Sequence, residues 1–189
     1  MTREPRQELT PGDAVIAVDV QNDFCPGGAL EVPEGDGVVA PLNRWMSAAR
    51  EMGARVYASR DWHPANHVSF APEGGPWPVH CVQDTHGAAF HPELALPEGA
   101  VVVSKGTRFD QDQYSAFDQT GFAEELKRRG IERVWIGGLA EDVCVRATAL
   151  DAARHGFTVH LITEATRAIS DDGRRQTEDE LRTAGALIG

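Results

Sequence analysis

Little in this chain is basic, rich in sulfur or continuously apolar. Its 189 residues carry 18 Lys and Arg against 29 Asp and Glu, a formal net charge of −11. No basic patch interrupts that balance, which argues against nucleic acid and anionic membranes as partners. No apolar run is long enough to span a bilayer, and none lies near the start. Residues 1–11 are polar and unlike a signal peptide. Cysteine is scarce as well. Cys25, Cys81 and Cys144 are an odd number at wide spacings, with no C-x-x-C pair. That speaks against a disulfide framework and against the common zinc and redox motifs, and it points to a reducing cytoplasm. There is no internal repeat and no low-complexity linker. The expectation is a flexible lead over 1–12 and one compact domain over 13–189.

What is present is a rhythm of short, β-branched apolar runs and helix-like stretches. Ala14 to Val18, Arg55 to Ala58, Ala100 to Val103, Arg133 to Ile136 and Thr158 to Ile162 read as strands. Their lack of polar alternation suits strands covered on both faces, as in a parallel sheet. Val38 to Met52 carries an apolar stripe at helical spacing and stops at Gly53. Phe122 to Arg129 and Val143 to His155 stop at Gly130 and Gly156, and a last helix is expected over Arg174 to Thr183. Strand and helix in alternation predict an α/β fold, a three-layer α/β/α sandwich around a mainly parallel sheet with Rossmann-like topology. Ligands of such folds sit beyond the carboxyl ends of the strands. That rule brings Asp19, Asp61, His63, Lys105 and the segment from Leu139 to Cys144 to one edge.

Two groups among these residues point to chemistry. Asp61 and His63 are two apart at a strand end, so both side chains reach the same side, and His80 follows a Pro-rich turn. An Asp/His/His set binds a divalent cation while leaving positions open for water or substrate. The second group is centred on Cys144, where a strand turns on Gly137 and Gly138 into a helix. A thiol in the first turn of a helix is favoured as thiolate, and the free N–H groups there can hold an oxyanion. From the segment alone, a small buried core residue is an equal reading. Asp19 and Lys105 add a proton carrier and a fixed positive charge. Singly, each also fits a plainer role, a turn cap and a solvated cation.

The chain resembles the nicotinamidase branch of the isochorismatase-like cysteine hydrolases. The resemblance is carried by A-V-D-V-Q-N-D-F (17 to 24), R-D-W-H-P-A-N-H-V-S-F (60 to 70), W-P-V-H-C-V (77 to 82), S-K-G (104 to 106), D-Q-Y-S-A-F (112 to 117) and G-G-L-A-E-D-V-C-V (137 to 145). These pieces run in family order through about two thirds of the chain. The resemblance implies a catalytic triad of Asp19, Lys105 and Cys144. It implies one divalent metal ion on Asp61, His63 and His80, zinc first, with iron or manganese as alternatives. It also implies a fourth protein ligand at either His67 or Glu73, and a cis peptide at Leu139–Ala140 that aims the Ala140 and Cys144 N–H groups into an oxyanion hole. Phe24, Trp77 and Tyr114 match positions that bind a pyridine ring. The implied activity is hydrolysis of nicotinamide to nicotinate and ammonia through a thioester, in NAD salvage. Pyrazinamide and related carboxamides are further substrates by the same logic, and the assembly implied is a homo-oligomer. The alternative within the family is a metal-free hydrolase of another small amide, an N-carbamoyl compound or a vinyl ether. Outside it stand a non-catalytic metal-binding protein and a thiol redox sensor.

Overall fold

A computed structural model describes residues 4–189. In chain order the elements are α1 (Pro5–Glu8), β1 (Asp13–Val18), α2 (Val39–Met52), β2 (Arg55–Asp61), β3 (Val101–Lys105), α3 (Phe122–Arg128), β4 (Arg133–Gly138), α4 (Arg146–Arg154), β5 (Thr158–Thr166), α5 (Asp171–Thr183) and β6 (Leu187–Ile188). The six strands form one sheet in the order β3-β2-β1-β4-β5-β6. Every neighbouring pair is parallel. This is the doubly wound arrangement, with its switch point between β1 and β4. The chain leaves β1 toward one side of the sheet and leaves β4 toward the other, so a crevice opens beyond their carboxyl ends.

The layers follow from the apolar pattern. β1 is buried along its whole length, which accounts for its unbroken apolar run. Val15 and Ala17 pack with Leu42, Trp45, Met46 and Ala49 of α2 on one face. Ala14, Ile16 and Val18 pack with Leu126, Ala149 and Leu181 of α3, α4 and α5 on the other. Helix α2 ends where Gly53 takes a left-handed conformation and returns its N–H to Ala49 O and Arg50 O.

Several boundaries differ from the sequence reading. The expected helix from Val38 begins at Val39, behind a 3₁₀ turn over Gly35–Val38. The last helix starts at Asp171, because the Ser170 hydroxyl accepts the Gly173 N–H at 3.0 Å and caps it. The expected helix from Val143 to His155 is two pieces. Glu141–Val145 is a π-helical turn, closed by Val145 N–H to Ala140 O at 3.1 Å, and α4 follows it. The lead expected over 1–12 is described from residue 4 onward. Residues 1–3 lie outside the described residues, but Pro5–Glu8 is helical and Leu9 is buried in the α2 layer, because the lead holds one apolar anchor that the sheet can cover. The C-terminal residues Leu187–Ile188 add a strand beside β5.

Strands β2 and β3 are parallel neighbours joined by residues 62–100, in which no α-helix forms among the described residues. Connections of this length without regular structure are uncommon, and function is their usual reason. This one carries His63, His67, Trp77 and His80. Its inner side is sealed by Cys81, Ala88 and Leu94 against the α2 layer.

One glycine makes the exit from β4 possible. Gly138 has φ of 127°, and a Cβ there would lie 2.1 Å from Val18 O. Gly138→Ala therefore combines backbone strain with a clash against the central strand. We expect a loss of about 2–4 kcal/mol, read as a lowered urea midpoint with an unchanged m-value.

Candidate active site

Four strand ends supply the site. Asp19 follows β1 with a left-handed backbone, φ 50°, an uncommon state for a non-glycine residue and one concentrated at functional positions. Two contacts hold it there. Its N–H reaches Ser59 O at 3.1 Å, and its Oδ1 accepts the Ser59 hydroxyl at 2.7 Å. Lys105 ends β3 and is fully buried. Its ammonium meets Asp19 Oδ2 at 2.8 Å, Asp61 Oδ1 in a shorter contact, Gln113 O at 3.4 Å and Cys144 Sγ at 3.5 Å. Cys144 sits in the π-turn beyond β4, 6% exposed, and lines a cleft.

The electrostatics follow from burial. Removing Asp19 from water disfavours its anion and raises its pKa, and the Lys105 charge opposes that shift without cancelling it. Burial works against the Lys105 ammonium too, but the Asp19 and Asp61 carboxylates outweigh it and keep the lysine protonated. The Cys144 thiol is pushed up by burial, with Lys105 acting in the opposite direction. The resting arrangement is a thiol, an ammonium and a carboxylate whose raised proton affinity suits it to take the thiol proton.

Asp61, His63 and His80 form the second cluster, with one donor atom from each within 4.8 Å of the others. Asp61 Oδ2 lies 3.6 Å from His63 Nε2 and 3.8 Å from His80 Nε2. Both rings are oriented from behind. His63 Nδ1 is 2.9 Å from Gly106 O, and His80 Nδ1 is 2.7 Å from Pro78 O. A carbonyl oxygen only accepts, so each neutral ring carries its proton on Nδ1 and turns a bare Nε2 toward Asp61. Three lone-pair donors facing one another in a buried space repel unless a cation lies between them. With Asp19 and Asp61 ionised and Lys105 protonated, one negative charge is left over. Donor set and charge both fit a divalent metal.

Neither candidate for a fourth ligand joins this cluster. His67 has both ring nitrogens engaged, Nδ1 with Ser69 Oγ at 2.7 Å and Nε2 with Gln111 O at 2.9 Å. Its ring lies tilted by 31° against that of His63, with 4.1 Å between centroids. Glu73 ends an exposed 3₁₀ turn, Ala71–Glu73.

The cleft above Cys144 encloses about 130 Å³. Phe24, Trp77, Tyr114 and Ala140 all line it, together with Val143 and Ile169. Trp77 donates its indole N–H to the Tyr114 hydroxyl at 3.1 Å. Asp61 and His80 also line this cleft, so thiol and cation position face one space. The expected cis bond is absent, and Leu139–Ala140 is trans. Gly138 and the π-turn supply the change of direction instead.

The sequence reading passed over the residues that hold these groups. Gln21 ties Asp61 at both ends of its amide: it accepts Asp61 N–H at 2.8 Å and donates to Asp61 O at 2.7 Å. Gly106 leaves room for His63, whose ring a Cβ would approach to 2.4 Å. Asp23 accepts Cys81 N–H at 2.7 Å, next to His80. Gln21 and Asp23 lie in the same motif as Asp19, and Gly106 directly follows Lys105, so adjacency to a reactive residue was the available signal.

The class these features fit is a thiol-dependent hydrolase with an adjoining metal position. Residues 13–188 match the Isochorismatase domain, and the chain belongs to that family. The nicotinamidase of Escherichia coli (strain K12) is 41% identical over 94% of this chain and 94% of its own length. The crystal structure of the pyrazinamidase of Pyrococcus horikoshii in complex with zinc is 47% identical, covers 95% of this chain and 99% of its own, and superposes with a TM-score of 0.92. PnC1 from L. infantum in complex with nicotinate is 37% identical with a TM-score of 0.85, over 100% of this chain and 95% of its own.

All three thiols are pushed up by burial, and access is what separates them. Cys25 is buried and pushed up to about 11, by burial and then by Asp36. Cys81 is pushed higher still by burial. Only Cys144 faces the cleft. In the native protein at pH 7.5, we expect a small disulfide reagent to titrate one thiol per chain. Cys144→Ala should abolish that reaction, and unfolding should expose three. Two fast native thiols would contradict the assignment.

Proposed function

We propose that this chain is a metal-dependent amidase that hydrolyses nicotinamide to nicotinate and ammonia through a thioester on Cys144. One observation carries the reading: Cys144 and the Asp61/His80 pair open into the same aromatic-walled cleft, no larger than a small ring requires. Asp61, His63 and His80 would hold the cation, with zinc as the first choice and iron or manganese as alternatives. When bound, it supplies a Lewis-acidic point that fixes the pyridine nitrogen, directly or through water.

The chain's own residues perform the remaining steps. Phe24 and Trp77 cover the ring and place the amide carbon beside Sγ, with Tyr114 bracing Trp77. Asp19 takes the Cys144 proton, and the new thiolate attacks the carbonyl carbon. The tetrahedral oxyanion is received by the Ala140 and Cys144 N–H groups. As the C–N bond breaks, Asp19 returns the proton to the leaving nitrogen and ammonia departs. Water then attacks the thioester while Asp19 accepts its proton. The C–S bond breaks, the proton on Asp19 restores the thiol, and the nicotinic acid formed loses its remaining proton to solvent as nicotinate. Lys105 keeps Asp19 oriented and limits the build-up of negative charge in the pocket.

The same reading makes pyrazinamide an alternative substrate and NAD salvage the setting. No helix among the described residues is long and apolar enough to cross a membrane. Three unpaired thiols support a reducing, cytoplasmic location. Assembly into a homo-oligomer belongs to the proposal. Edge strand β3, where Val101 and Val102 are 42% and 43% exposed, is the surface that supports it.

Ammonia release from nicotinamide is the deciding assay. Cys144→Ala should lower kcat by roughly 10³-fold or more while leaving metal content intact. Full turnover in that variant would end the covalent scheme. His63→Ala should lose bound metal, read by elemental analysis, and raise KM for nicotinamide. His67→Asn should keep metal stoichiometry, because His67 stands behind His63. The pH profile provides a further check. The base must be ionised, and burial raises its proton affinity. The acid limb of kcat/KM should therefore lie above the ordinary carboxylate value of about 4, with the rate falling as pH drops through it. Asp19→Asn should remove both limb and rate.

A further inference from the structure

The reaction assigned above has a charge asymmetry: a neutral amide enters and an anionic carboxylate leaves. The walls of the cleft are asymmetric in the same sense. Apart from Asp61 and His80 at the cation position, its charged lining groups are Glu31 and Asp112, and no lysine or arginine lines it among the described residues. They come from two separate loops, and both carboxylates are held by main-chain donors. Glu31 Oε2 accepts Gly27 N–H at 2.9 Å. Asp112 Oδ1 accepts Gln113 N–H at 3.0 Å. Asp112 also sits beside the pocket phenol. Burial pushes Tyr114 up against the Trp77 hydrogen bond, and the Asp112 charge adds to that rise. On the Asp112 loop, Arg108 is tied to Asp110 by two hydrogen bonds at 3.0 Å.

We propose that Glu31 and Asp112 form an acidic collar that sets specificity by charge, admitting neutral ring carboxamides, rejecting amides that carry a carboxylate, and hastening departure of the carboxylate product. The physical basis is the distance law. At the rim of a partly apolar cleft, like charges interact through less water than in bulk, so two fixed carboxylates disfavour a third while leaving a neutral ligand nearly unaffected. The chain's net charge of −11 acts in the same direction at longer range. Neither side chain donates or accepts a proton in the reaction. They are specificity-determining residues of the pocket mouth. The proposal rests on the nicotinamidase reading, because only that reaction converts a neutral ligand into an anion at this site.

The test compares a neutral and a charged ligand of one shape. KM for nicotinamide and the inhibition constant for nicotinate are measured in the metal-loaded wild type, in Glu31→Gln, in Asp112→Asn and in the double variant. Each substitution keeps the oxygen that accepts the main-chain N–H and removes the charge. The expected result is that the ratio of the nicotinate inhibition constant to the nicotinamide KM falls about fivefold or more in the double variant, with part of the fall in each single one. In the wild type this ratio should also fall as salt is raised from about 20 to about 500 mM, and the salt effect should shrink in the double variant. The carboxylate-bearing analogue 5-carbamoylpyridine-3-carboxylate should gain in kcat/KM relative to nicotinamide by a similar factor. A ratio unmoved by both substitutions, with nicotinamide turnover normal, would overturn the collar and leave the amidase reading intact. No nicotinamide turnover in the metal-loaded wild type would overturn both.

Discussion

A single ammonium holds the site together. Lys105 is buried completely, and a lone charge in that position is strongly disfavoured. It is stable there because two carboxylates, Asp19 and Asp61, converge on it from the ends of two other strands. The dependence is mutual, since the lysine charge favours the ionised form of both carboxylates in this space. The register of the sheet brings them together. Asp61 pairs directly with Lys105 across β2 and β3, and Ser59, the hydroxyl that holds Asp19, pairs with Val18 across β1 and β2. A shift of one residue in either pairing would turn these side chains to the opposite face and leave a buried charge alone.

Asp61 is therefore shared. One oxygen belongs to the lysine and, through it, to Asp19 and Cys144. The other faces the two imidazoles. Cys144 and the Asp61, His63 and His80 cluster are thus parts of one charge network. The scaffold around that network is rigid where the chemistry needs aim. Gly106 O and Pro78 O set the two imidazole tautomers, and Gln21 clamps the backbone on both sides of the Asp61 peptide. The walls of the cleft are mixed: Phe24, Val32 and Ala140 belong to the core on the α2 side, whereas Trp77 and Tyr114 come from loops. Trp77 and Tyr114 hold each other through one hydrogen bond across 37 positions of sequence.

The π-turn at Glu141–Val145 shows how a reactive residue is presented. An ordinary first turn would continue straight into α4. The wider turn lets Val145 reach back to Ala140 while Glu141 N–H meets Arg167 O at 2.8 Å. Asp142 accepts N–H groups from Ile169 and Ser170, which bolts the start of α5 to the same turn. Cys144 thus sits on a segment fixed from both sides, and Ile169, pinned by Asp142, becomes part of the cleft.

The sheet and its helices were legible in the sequence because burial leaves a period in the chain. Unbroken apolar runs marked strands covered on both faces, and a 3.6-residue stripe ending at Gly53 marked α2. Asp19, Asp61, His63 and Lys105 could be placed together from the sequence because each lies at or just beyond a strand end, where the parallel fold places its ligands. Motif order supplied the roles the resemblance implies. Three matters were settled only by tertiary contacts. Whether His67 faces a cation or Gln111 depends on a carbonyl 44 positions away. The Leu139–Ala140 bond and the π-turn depend on Val18 and Arg167, from strands β1 and β5 and their ends. The residues that orient the site, Ser59, Gln21, Gly106 and Gln113, are common types with no periodicity of their own. Local sequence encodes which side chains are apolar and which are reactive. It does not encode which distant carbonyl or hydroxyl will lie within 3 Å of them, because that distance exists only once the strands have paired.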